Sequence, residues 1–147
     1  MGAGRTIDDT PLLVGIDVGT TNIKALVYDA GGRPVAQASV PTTTHYPQPL
    51  WAYYEPDELW DAVCTVLQET VQAVDDPRRI AGIAVASMAE AGVPLDSAGN
   101  PTYDAIAWFD RRTIPQMEWL AQTIGEAALF DITGLSLQPI FTLCKLL

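Results

Sequence analysis

The chain has 147 residues, and its 18 acidic and 8 basic side chains give a formal net charge of −10. That balance excludes broad nucleic-acid binding, because neutralising phosphates needs clustered Lys and Arg. Hydrophobic residues at 48% and charged residues at 18% exclude a disordered chain, and a domain of this length buries roughly 68–70% of its unfolded surface.

A mean hydropathy of +0.14 is high for a water-facing domain, so some apolar surface is expected to be covered by another part of the protein or a partner. Cys64 and Cys144 stand far apart and fit no metal spacing, which points to the reducing cytoplasm. The first apolar run, Leu12 to Ile16, ends in Asp17 and is too short for a secretory segment. No stretch approaches the roughly 18 apolar residues of a membrane span, so no membrane is expected. Residues 1–6 fit a loose acylation pattern, read here as a chance match in a polar tail over 1–11. A homodimer is compatible with the sequence.

Leu12 to Asp17 reads as a buried strand ending in the turn composition Gly19-Thr20-Thr21. Asn22 to Tyr28 follows as a second strand with Ile23, Ala25 and Val27 on one face, and Pro34 to Val40 as a third after Gly31-Gly32. The chain therefore opens with an antiparallel meander. Thr42 to Tyr54 is irregular, its aromatic residues serving as packing. Pro56, Asp57 and Glu58 start an amphipathic helix to about Val74, with Trp60 on its inner face. The near-continuous apolar run Ile80 to Ala86 predicts a central strand. Short strands are expected at Val93 to Asp96 and Ile106 to Trp108, then a helix over Thr113 to Ile124, an irregular stretch over Leu129 to Gln138, and a helix starting at Phe141. There is no internal repeat.

The segment from Gly15 to Lys24 carries the most chemistry. Asp17 lies at a strand end beside Gly19, Thr20 and Thr21 in a tight turn. A glycine lets backbone approach a phosphate closely, turn amides form an anion-binding concavity, and the two threonines add hydroxyl donors. Asp17 suits Mg2+, held through water, because that ion dehydrates reluctantly. The P-loop and dinucleotide-binding glycine spacings are both missing, and a strand rather than a helix follows the turn. An ordinary hairpin turn has a similar composition.

This segment resembles the first phosphate motif of the actin-like ATPases, above all that of the FGGY carbohydrate kinases; the heat-shock chaperones of that superfamily open similarly. Ser87 to Gly92, Leu95-Asp96 and Ala107 to Thr113 resemble the sugar-site region of the FGGY kinases, with its Trp-x-Asp/Asn-x-Arg segment. Sugars are bound by an aromatic face against C–H groups and by charged groups on hydroxyls. Core packing for Trp108, helix capping for Asp110 and a solvated first turn for the arginines are the bland alternatives. Thr133-Gly134-Leu135 and Thr142 to Leu147 extend the similarity, which runs from Leu12 to the last residue.

The resemblance implies an α/β chain with a mixed sheet, the ribonuclease H-like or actin-like ATPase fold in truncated form, over residues 12–147. It implies phosphoryl transfer from ATP with Mg2+ to a sugar or polyol hydroxyl. Asp17, Gly19, Thr20, Thr21 and Lys24 fall on the magnesium-phosphate side; Glu90, Trp108, Asp110 and Arg111 fall at the acceptor. The family's aspartate base is expected beyond Leu147, and Asp131, with its Thr-Gly neighbours, does not replace it, so the chain is expected to be inactive alone. Ala89 before Glu90 and Ile140 after Pro139 depart from the glycerol-kinase pattern, which disfavours glycerol and favours a ketose or polyol. A chaperone-type ATPase and a non-catalytic sugar-binding remnant are the alternatives.

Overall fold

The computed structural model describes residues 10–147; residues 1–9, which hold the acylation pattern and most of the expected tail, lie outside the described residues. In chain order the elements are β1 (Leu12–Val18), β2 (Asn22–Asp29), β3 (Pro34–Pro41), β4 (Tyr53–Tyr54), α1 (Pro56–Gln72), β5 (Ile80–Ser87), β6 (Ala105–Ile106), α2 (Ile114–Thr123), α3 (Glu126–Thr133) and α4 (Thr142–Lys145), with a short 3-10 turn at Pro77–Arg79. Two compact units result. One holds residues 10–42 together with Trp60–Ser87, and the other holds Thr43–Leu59 with Met88–Leu147. No helix among the described residues is long and apolar enough to cross a membrane.

In the first unit β1, β2 and β3 form the expected antiparallel meander, and β5 joins β1 in parallel to give the order β3-β2-β1-β5. Strand alternation puts Leu12, Val14 and Ile16 of β1 and Ile23, Ala25 and Val27 of β2 on one buried face. Val66, Thr70 and Val74 are the buried residues from the following helical segment. Each such fully buried aliphatic side chain contributes about 1.5–3 kcal/mol. The Thr70 hydroxyl donates to the carbonyl of Val66 and to that of Ala25, pinning α1 to β2.

Two expectations need correction here. Trp60 is not on the inner face of α1: it is 67% exposed, because the buried stripe runs through Val66 and Thr70 instead. The apolar run at Ile80 is a strand, but among the described residues β5 is an edge rather than a centre. Ile83 and Val85 are 57% and 65% exposed although their register partners Val14 and Ile16 are buried. An apolar run reports the cover a strand is suited to, not the cover it has.

The second unit is built on two small cores. One gathers Ala52, Tyr54, Ala105 and Ala107, with Leu59, Met88, Val93 and Phe109 packed against them. The other gathers Leu120, Leu129 and Cys144, with Met117 and Leu137. Of the short strands expected at Val93–Asp96 and Ile106–Trp108, the first is reduced to a single Leu95–Pro101 bridge and the second to β6, which pairs with β4. α3 occupies part of the stretch read as irregular, and is stopped by Gly134 in the left-handed conformation at φ 71°, a position glycine fills without steric cost.

Candidate functional site

The hairpin between β1 and β2 brings Asp17, Gly19, Thr20, Thr21 and Lys24 together at one end of the sheet. Asp17 and Lys24 are register partners, and Lys24 in turn pairs with Ser39 of β3, so the three project from one face in a row across the strands. That face is opposite the one buried beneath α1. There Asp17, Lys24, Leu26, Gln37 and Ser39 line an open cavity of about 590 Å3. Asp17, Thr21 and Lys24 are exposed, and Thr20 is half-buried.

The turn itself is tightly closed. The Gly19 amide donates to the Asn22 carbonyl at 3.1 Å, and a Cβ built on Gly19 would lie 2.8 Å from that carbonyl oxygen. Glycine is thus required by the hairpin's own closure, a reason sequence reading missed. Thr42, also missed, latches the turn to the end of β3: its hydroxyl donates to the Gly19 carbonyl at 2.7 Å and its amide to the Thr21 carbonyl at 3.0 Å. The spacing of 23 residues from Gly19 to Thr42 carries no periodic signal.

Among the described residues no three His, Cys, Asp or Glu converge as a metal cage. Asp17 alone offers a hard oxygen beside turn amides and hydroxyls. This donor set fits Mg2+, which keeps most of its waters and takes one or two carboxylates together with phosphate oxygens.

In the second unit Glu90 has a positive φ of 60°, uncommon for a residue with a side chain and a sparsely populated, costly conformation. Its carboxylate oxygen Oε2 accepts from both the amide and the hydroxyl of Thr142, the latter at 2.6 Å. Lys145, one turn further along α4, donates from Nζ to the Glu90 carbonyl and, at 3.1 Å, to the Ile106 carbonyl. Burial pushes the Lys145 ammonium below the ordinary lysine range, against the opposing pull of Glu90 and Asp110. Neighbouring Cys144 is buried and its thiol is pushed up by that burial, so it is a core residue and not a nucleophile.

Trp108 is 42% exposed, its ring edge-on to Phe109 with centroids 5.4 Å apart, and so presents a free aromatic surface. Asp110 is different and corrects the sequence reading. It has no exposure, and its carboxylate accepts the Ala52 amide at 2.6 Å, the Arg112 amide at 2.7 Å, and the Arg112 Nε and Nη2 at 3.0 and 2.8 Å. A fully enclosed carboxylate with those partners holds the loop rather than touching a ligand. Its partner is Arg112, not Arg111, and the Arg112 guanidinium also lies 4.1 Å over the Trp51 ring. Arg111 is exposed, and its amide donates to the Leu50 carbonyl. Arg112 and Trp51 went unrecognised because their 61-residue separation hides the stack, although an Asp two residues before an Arg was a signal for the ion pair.

A meander closed by a carboxylate-glycine-threonine turn, followed by an exposed tryptophan on an Asp–Arg-braced loop, defines the N-terminal part of an actin-like-fold kinase. Residues 12–147 match the N-terminal domain of the FGGY family of carbohydrate kinases, and the chain belongs to that family. It is 38% identical over 136 residues to the glycerol kinase of Citrifermentans bemidjiense, a match covering 91% of this chain and 28% of that one. The gluconate kinase of Lactobacillus acidophilus superposes with a TM-score of 0.85 at 25% identity, over 93% of this chain and 27% of that one. The ligand-bound xylulose kinase of the same organism gives 0.84 at 25%, over 92% and 27%. The chain thus spans little more than a quarter of the length of the relatives it matches.

Proposed function

We propose that the protein transfers the γ-phosphoryl group of ATP to a hydroxyl of a sugar or polyol in the cytoplasm, with this chain supplying the first phosphate motif and part of the acceptor site. The observation that carries the reading is the β1–β2 hairpin. There an exposed carboxylate, a lysine in register with it and two threonines surround a turn too tight for any residue but glycine.

Phosphoryl transfer depends mostly on positioning and on neutralising charge at the phosphate oxygens. Mg2+, when bound, would supply most of that neutralisation, and Asp17 would hold it through water. The Thr20 and Thr21 hydroxyls and the turn amides donate to phosphate oxygens, and Lys24 balances charge on the same sheet face. On the acceptor side, Glu90 uses Oε1 for a hydroxyl, since Oε2 is taken by Thr142. The exposed face of Trp108 stacks on the C–H surface of the sugar, and Arg111 adds a donor. Asp110 positions this loop from beneath.

Ala89 is exposed and offers no guanidinium, and Ile140 no phenolic hydroxyl, where the glycerol-kinase pattern has Arg and Tyr. A ketose or longer polyol is therefore the favoured acceptor, even beside relatives named glycerol kinase. The test is ADP release by the protein at its natural length with ATP, Mg2+ and each of D-xylulose, gluconate and glycerol. The expected result is acceptor-dependent turnover with D-xylulose above glycerol. Glu90→Ala, losing a charged hydrogen bond of about 1.5–3 kcal/mol, should lower acceptor kcat/KM by about 10- to 100-fold. ADP release that no acceptor alters would overturn the reading in favour of a chaperone-type ATPase.

A further inference from the structure

We propose that Lys145 is a positioning residue of the acceptor site, tying the Glu90 turn and the strand leading to Trp108 into one unit. The proposal rests on the acceptor reading of Glu90 and Trp108. The Lys145 ammonium donates to two separate segments. One bond goes to the carbonyl of Glu90 itself and the other to the carbonyl of Ile106, two residues before Trp108. These carbonyls belong to segments that share neither a helix nor a ladder: β6 pairs with β4, and Glu90 stands in a loop outside every strand.

The Glu90 backbone also needs holding. At φ 60° it occupies the left-handed region without being glycine, a conformation that persists only when its surroundings fix it. α4 provides two grips from one face, since Thr142 and Lys145 are three residues apart and so neighbours on a helix. Thr142 takes the carboxylate and Lys145 takes the carbonyl. Losing the Lys145 grip frees the peptide to leave the left-handed well. The orientation of the carboxylate and the spacing between Glu90 and Trp108 would then both loosen. An ammonium is suited to the task because its three protons on a long stem can serve two carbonyls together, whereas a methionine of similar length serves none.

The experiment is fluorine NMR of the natural-length protein labelled with 5-fluorotryptophan, with the Trp108 resonance assigned by Trp108→Phe, together with titrations of D-xylulose and Mg-ATP. In Lys145→Met the Trp108 resonance should shift or broaden while those of Trp60 and Trp119 hold. D-xylulose affinity should fall about tenfold, with Mg-ATP affinity unchanged. Lys145→Arg, which keeps a charged donor, should recover part of both; if Lys145→Met does not fold, Lys145→Gln, whose short amide cannot span both carbonyls, replaces it. An unmoved Trp108 resonance, or equal movement of all the tryptophan resonances, overturns the proposal. If the unsubstituted protein binds no sugar, the acceptor reading fails, while the fluorine spectrum still decides whether Lys145 orders the loop.

Discussion

Replacing Asp110 by Asn tests how the loop around Trp108 is held. The substitution keeps the volume and removes the charge from a site with no solvent exposure. The carboxylate accepts three donors on Oδ2 and one on Oδ1. An asparagine oxygen can serve the first three, and its NH2 then faces the Arg112 amide, so one buried donor is orphaned at about 1–3 kcal/mol. The larger effect falls on the Arg112 guanidinium, whose side chain is 13% exposed and loses its counter-ion. Breaking such a buried pair costs about 3–5 kcal/mol, which we take as the total because the two losses overlap. Arg112→Met, which leaves an aliphatic stem over Trp51, strands the carboxylate at a comparable cost. The double variant should be less damaged than the sum of the two by roughly 0.5–3 kcal/mol, as expected for coupled neighbours. Equilibrium urea unfolding followed by tryptophan fluorescence and circular dichroism measures all three. A stability for Asp110→Asn within about 0.5 kcal/mol of the parent, or strictly additive losses, would refute the clamp.

Two further outcomes check other parts of the fold. Trp60→Gln should change the unfolding free energy from urea titration by no more than about 0.5 kcal/mol, because the ring is mostly in solvent; a core-sized loss would return Trp60 to the inner face. The Asp29 carboxyl is held below its ordinary value of 3.8, chiefly by the Arg33 amide, with the Arg33 side chain and the Gly31 amide helping to outweigh the opposing effect of desolvation. A depressed carboxylate stabilises the fold above its unfolded value, and that contribution disappears as pH falls through the folded value. Asp29→Asn should therefore flatten the decline in urea midpoint below pH 3.8, and superimposable acid limbs for the two proteins would contradict the assignment.

The meander was legible because it is local. Alternation at Ile23, Ala25 and Val27 and the glycine turns fix both register and face within thirty residues, and all three side chains are fully buried. The β1–β2 hairpin was legible for the same reason. The neighbourhood of Trp108 was only half so. The order of residue types indicated a sugar loop, but which side chain faces solvent depends on contacts from Ala52 and Trp51, some sixty positions earlier. Alternation says nothing across such a gap. Asp110 therefore read as a ligand when it is the anchor, and the neighbouring arginines could not be told apart.

β5 and Glu90 show a deeper limit, because the setting of each depends on more than its own stretch of sequence. Ile80 to Ser87 is a strand by composition, yet Ile83 and Val85 lie open in register with buried partners, since strand propensity and sheet position are separate quantities. Glu90 is polar in a loop, and an oxygen and a carbonyl of this residue are both held from α4, more than fifty residues on. A four-residue helix has little stability of its own, because a helix this short scarcely repays its nucleation. The packing of Cys144 into the Leu120–Leu129 core supplies what it lacks. The Glu90 carboxylate is thus oriented by a helix that depends in turn on the Leu120–Leu129 core. Substitutions at Leu120 or Leu129 should loosen Glu90 before they unfold the meander, a coupling that only the folded chain reveals.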